Sequence, residues 1–64
     1  MQPFQQRVVD EKRELDEKLQ RLSEFVNSGT MNSLPEPEKA RLREQRDIMT
    51  AYSNVLGKRI EAFS

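Results

Sequence analysis

The sequence has no cysteine, no histidine and no tryptophan, and only two glycines among its 64 residues. Without cysteine there is no disulfide, and without cysteine or histidine the common zinc sites have no ligands. No Glu-x-x-His pair exists, which excludes a di-iron centre of the kind built inside helical bundles. Catalysis loses its commonest general base and its most reactive thiol. The serines have no base beside them, and no glycine-rich phosphate loop is present. The inventory therefore predicts no catalytic residue, no metal and no cofactor. An excess of charge of one sign is also missing, since 11 Lys and Arg balance 11 Asp and Glu. The carboxylates read as solvated faces and ion pairs. Binding to a DNA or RNA polymer, which normally brings a basic surplus, is not expected. A small basic pocket for a compact anion remains open, because local and net charge are different quantities.

Long hydrophobic runs are absent as well. Nothing approaches the roughly 20 apolar residues that cross a bilayer. The opening Met-Gln-Pro-Phe-Gln-Gln-Arg lacks the basic and apolar regions of a signal peptide. The expectation is a cytoplasmic protein with no membrane contact. A single domain over residues 1–64 is also a weak one: a core this small rarely supplies more than about 3–5 kcal/mol. With disulfides and metals unavailable, oligomerisation is the remaining source of stability.

What the sequence does contain is helical periodicity. From Pro3 to Val26 there is no glycine and no internal proline, and apolar residues fall at Phe4, Val8, Leu15, Leu19, Leu22 and Val26. Val9 and Phe25 flank the stripe, and Lys12 or Glu11 occupies one of its register positions. Pro3 suits a first helical turn, where its missing N–H has no partner anyway. The spacing predicts a first helix over about residues 3–26 and a connector over 27–34, with Gly29, or Asn27 as the runner-up, closing the helix in the left-handed conformation. Ser33 and Glu36 have the spacing of a capping box at the start of a second helix, about residues 35–62. Its main stripe reads Leu42, Gln45, Met49, Tyr52, Leu56 and Phe63, with Ile60 beside it. A second stripe, Ile48, Ala51, Val55 and Ala62, widens the apolar face beyond what one antiparallel neighbour covers. The surplus is a second argument for an oligomer. Gly57 reads as a tolerated glycine or a close helix contact, or as a point where a ligand approaches.

Three side chains carry two readings each from position alone, and Arg7 is a further candidate for phosphate contact by its place. Phe4 is a core anchor or an exposed stacking platform. Lys18 lies at the edge of the Leu15, Leu19 and Leu22 stripe, with its stem packed and its amine in water, or with its amine on an anion. Arg59 continues the line of Tyr52 and Leu56, where an Arg either meets a carboxylate or lines an anion site. Arg7 follows Phe4 by one turn. Tyr52 reads as a core residue with its hydroxyl at the rim.

The ordered combination resembles a known family. It comprises Gln6-Arg7-Val8-Val9-Asp10-Glu11-Lys12, Glu14-Leu15-Asp16-Glu17-Lys18-Leu19, Leu22-Ser23-Glu24-Phe25 and Leu34-Pro35-Glu36. Arg41-Leu42, Gln45, Met49, Tyr52-Ser53, Leu56-Gly57, Arg59-Ile60 and Phe63 complete it. Over nearly the whole chain it is similar to the small bacteriophage anti-CBASS sponges, which hold cyclic oligonucleotides. The resemblance implies an all-α antiparallel hairpin with a short N-terminal helical piece, assembled as a homohexamer. It implies pockets between protomers for 3′,3′-cyclic GMP-AMP-like dinucleotides and separate pockets for cyclic trinucleotides, both held without cleavage in the infected host's cytoplasm. By the same resemblance Phe4 stacks on a base, although the family position is typically Tyr. Lys18 pairs with phosphate and Arg59 serves the trinucleotide site. Arg7 is a further candidate for phosphate contact, from its place one turn after Phe4 and not from the resemblance. A helical adaptor that docks a protein partner through the surplus stripe is the alternative.

Overall fold

Helix α1 forms because nothing between Phe4 and Val26 breaks it, and it runs unbroken over Pro3–Val26 in the computed structural model, which describes residues 1–63. Pro3 stands in its first turn, and the Gln2 N–H donates to the Gln5 side-chain oxygen at 2.8 Å, satisfying a donor the helix cannot. The resemblance implied a separate N-terminal helical piece. Here those residues are instead the first turns of α1 itself, because no glycine or proline falls between Phe4 and Val26 to set them apart.

The end of α1 corrects a second expectation. No described residue has a positive φ, and Gly29 does not close the helix. The Asn27 and Ser28 N–H groups donate to the Ser23 and Phe25 carbonyls, and the Ser28 hydroxyl adds a 2.7 Å bond to Phe25. With the Ser23 and Phe25 carbonyls satisfied in this way, the helix closes without a left-handed residue. Gly29 instead opens a short 3-10 helix, Gly29–Ser33. The Ser33 hydroxyl donates back to Thr30 at 2.7 Å, so it is not the capping box expected with Glu36. Helix α2 spans Glu36–Glu61 with Pro35 as its extended N-cap. Glu36 and Glu38 in its first turn, and Lys58 and Arg59 in its last, complement the helix dipole.

The helices lie antiparallel in a rod of 46 × 14 × 13 Å. Its radius of gyration is 14.7 Å, where a compact domain of this length would have about 11 Å. The core is correspondingly thin. Val8, Met31 and Leu56 are the buried apolar side chains among the described residues, and Met31 caps the connector end of the seam. Among the described residues there are two helices and no strand.

The inward column of α2 differs from the expected stripe. Leu42, Arg46, Met49, Ser53, Leu56, Ile60 and Phe63 are buried or half-buried, while Gln45 and Tyr52 are exposed. Tyr52, expected in the core, is 44% exposed. The two registers differ by one position and both satisfy the helical period. The chosen one turns Ser53 inward because polar partners wait for it on α1. Ile48 and Val55 stay uncovered, at 60% and 50% exposure.

Candidate functional site

Lys12 breaks the apolar stripe of α1 in the sequence, and its position explains the break. Its ammonium donates to Asp16 Oδ2 at 2.8 Å, within α1, and across the seam to Ser53 Oγ at 3.0 Å. Ser53 in turn donates its proton to the second Asp16 oxygen. Those bonds, from Lys12 first and Ser53 second, hold the Asp16 carboxyl below its ordinary 3.8. The Lys12 stem crosses directly over Gly57, where an added Cβ would stand 3.4 Å from Lys12 Cε. Gly57 is thus a close helix contact. Its missing side chain leaves the room that Lys12 uses to reach Ser53.

A serine bonded to a lysine invites a catalytic reading, and the geometry answers it. Ser53 is only 6% exposed, and its proton is already given to Asp16. It is both donor and acceptor in a closed triangle that ties α1 to α2. Beside the triangle runs an open groove of about 400 Å³ lined by Val9, Lys12, Arg13, Asp16, Glu17, Gln20 and Ile60. Two cations face two carboxylates there, so the groove offers no net attraction to a dianion. It contains none of Phe4, Arg7, Lys18 or Arg59.

Those four residues are all exposed. Phe4 is 53% exposed and meets Phe63 edge-to-face, with ring centroids 6.2 Å apart and planes at 78°. That contact pins the start of α1 to the end of α2 and leaves much of the Phe4 ring in solvent. Its two readings, anchor and platform, are both partly met. Arg7 lies one turn further along α1. Arg59 stands in the last turn of α2, at the same end of the hairpin, but it continues the exposed line of Tyr52 rather than facing the seam. Among the described residues, none of Arg7, Lys18 and Arg59 is in an ion pair. Lys18 stands apart. Fourteen residues of helix separate it from Phe4, about 21 Å along the axis, farther than one compact ligand spans. One chain therefore gathers Phe4, Arg7 and Arg59 at one end and leaves Lys18 near the middle.

Compared with family models, the chain matches the Sequestin model over residues 2–62. The chain belongs to the Sequestin family. The match takes in both helices and the connector, and so all four of these side chains. Nothing matches among curated proteins or among solved structures. The Sequestin name suggests a ligand that is bound and withheld rather than converted. That suits a surface with free cations, an open aromatic ring and a serine whose proton is already committed.

Sequence reasoning missed the Lys12, Asp16 and Ser53 triangle. A signal existed: a lysine in the apolar register of one helix, and a serine in that of the other, both need a polar partner. Pairing them requires the register between the helices, which sequence spacing alone leaves open by one position.

Proposed function

We propose that this Sequestin-family chain is a bacteriophage anti-defence sponge that binds cyclic oligonucleotide second messengers and keeps them from CBASS effectors. Its ligands are 3′,3′-cyclic GMP-AMP-like dinucleotides and cyclic trinucleotides. They are held uncleaved by a homohexamer in the cytoplasm of the infected bacterium. The observation that carries the reading is the set of Phe4, Arg7, Lys18 and Arg59, all solvent-facing and, among the described residues, with none of the three cations engaged in an ion pair. A flat ring contributes about 1–3 kcal/mol per stacked base. Charge-assisted contacts to phosphate add about 1.5–3 kcal/mol each. The distance between Phe4 and Lys18 calls for a second chain, and symmetry then supplies two lysines for the two phosphates of a cyclic dinucleotide.

Isothermal titration of 3′,3′-cyclic GMP-AMP and cyclic tri-AMP into the protein tests this. Heat at micromolar protein, with the nucleotide recovered intact after denaturation, is the expected result. No heat from either ligand would overturn it. The adaptor reading is favoured by the exposure of Ile48, Tyr52 and Val55. It requires a small oligomer that ignores both nucleotides and still offers an apolar patch to a hydrophobic dye.

A further inference from the structure

We infer that the Lys12, Asp16 and Ser53 triangle is a register lock, and that the hairpin has a second folded setting in which α2 is turned about its own axis so that Tyr52 and Arg59 face α1. Leu42, Met49, Leu56 and Phe63 form a spine along α2 that is buried or half-buried. Two flanks border it. Arg46, Ser53 and Ile60 on one side are buried or half-buried, whereas Gln45, Tyr52 and Arg59 on the other are exposed. At about 100° per residue, the flanks stand about 50° to either side of the spine. A turn of about 50° exchanges them and keeps the spine at the seam throughout.

Little besides the triangle opposes that turn. The Ser53 bonds to Lys12 and Asp16 cross between the helices. Glu61 apart, every other side-chain hydrogen bond and every ion pair among the described residues joins positions no more than four apart in sequence. Such local contacts turn with their own helix and are indifferent to its setting. The apolar exchange is close to even, since Ile60 turns out as the Tyr52 ring turns in. Lys12 loses Ser53 but keeps its pair with Asp16, and at 30% side-chain exposure its amine already reaches water. Arg59 stands in the last turn of α2, where its guanidinium extends past the end of the seam to solvent. The second setting therefore buries no unpaired charge. It does withdraw Arg59 from the surface it shares with Phe4 and Arg7. Lys12 and Ser53 are thus positioning residues for that end of the rod, whatever ligand it takes.

The chain has no native cysteine, so a single introduced thiol reports its own exposure. Gln45→Cys and Arg46→Cys stand on opposite flanks, two turns from the triangle. In the otherwise unchanged full-length protein without ligand, the thiol of Gln45→Cys is expected to react with a maleimide several-fold faster than that of Arg46→Cys. In a Lys12→Met/Ser53→Ala background the order is expected to reverse, a swing of about tenfold in the rate ratio. Adding Tyr52→Glu, a charge the seam does not accept, is expected to restore the first order. Both thiols speeding up together, or the first order persisting without the lock, would overturn the second setting. So would loss of helicity by circular dichroism in the unlocked variant at every protein concentration, because a chain with two packings keeps one of them. No nucleotide is present, so failure of the ligand reading leaves these outcomes unaffected.

Discussion

Replacing Lys12 with Met tests whether the polar triangle holds the hairpin together. Met keeps an unbranched apolar stem over Gly57 and removes the ammonium alone. Two bonds go with it. The one to Asp16 is an i,i+4 pair within α1, the kind worth about 0.3–0.5 kcal/mol. The one to Ser53 crosses between helices, and bonds to charged groups reach about 1.5–3 kcal/mol. The Lys12 side chain is 30% exposed and Asp16 45%, so water screens both and the upper values do not apply. Ser53 keeps its bond to Asp16, so no buried polar atom is orphaned. The expected loss is about 1–2 kcal/mol. That is a large share of the roughly 3–5 kcal/mol a core of this size supplies. Urea unfolding followed by circular dichroism, at fixed protein concentration, reads it as a lower midpoint with an unchanged slope. Equal or greater stability in Lys12→Met would refute the reasoning. It would mean that desolvating the ammonium costs as much as its two bonds return, as happens for more deeply buried pairs.

The same triangle gives a pH dependence. The folded-state Asp16 carboxyl titrates below its ordinary 3.8, so its contribution is complete above that value and is lost as pH falls through the lowered one. Asp16→Asn should flatten this part of the acid-unfolding curve relative to the parent. Leu56→Ala removes the one side chain with no exposure among the described residues and should cost about 2–5 kcal/mol, enough to lose most helicity at low protein concentration by circular dichroism. Gly57→Ala places a Cβ in contact with Lys12 Cε at 3.4 Å. It should therefore be neutral or stabilising by up to about 1 kcal/mol in thermal melts, whereas Gly57→Leu should displace Lys12 and destabilise. Lys18→Ala should abolish binding of 3′,3′-cyclic GMP-AMP by calorimetry and leave the oligomer intact by light scattering; dissociation would make Lys18 structural.

The two helices were legible because their apolar spacing and the Asn27-Ser28-Gly29 and Pro35-Glu36-Pro37 interruptions act locally. The excess of apolar surface on α2 was legible for the same reason, and Ile48 and Val55 are uncovered in the hairpin. Which residues of α2 face α1 was not. Counting hydrophobicity favours Gln45 and Tyr52 over Arg46 and Ser53, since Tyr52 is the largest apolar body among them. The hairpin takes the other register because Ser53 satisfies Lys12 and Asp16 there, and that gain depends on contact between residues 41 apart. The end of α1 was misread for a smaller reason: Gly29 has the right chemistry for a left-handed cap, but the Ser28 hydroxyl reaches the Phe25 carbonyl first. Of the four ligand-site candidates, sequence placed Phe4, Arg7 and Arg59 at what becomes one end of the rod. The separation of Lys18 from Phe4 was legible too, since both stand on one predicted helix fourteen residues apart.

Turning Ser53 inward decides more than the seam. Residues one position apart on a helix differ by 100°, so a register that buries Ser53 necessarily puts Tyr52 outside, beside Ile48 and Val55. The alternative register would have packed Tyr52 against α1 and narrowed the apolar surface left over. It would also have stranded Lys12 without Ser53. The polar triangle and the exposed stripe are therefore two consequences of one rotation of α2. Stability within the chain is limited by that choice, since Leu56 is the sole α2 side chain that is both apolar and buried among the described residues. The same choice leaves Ile48, Tyr52 and Val55 uncovered on α2. A hairpin so built fixes its helix pairing through directional hydrogen bonds at the expense of apolar burial within the chain. In the hexamer proposed above, a pocket that needs Phe4 from one copy and Lys18 from another would form only once the copies assemble.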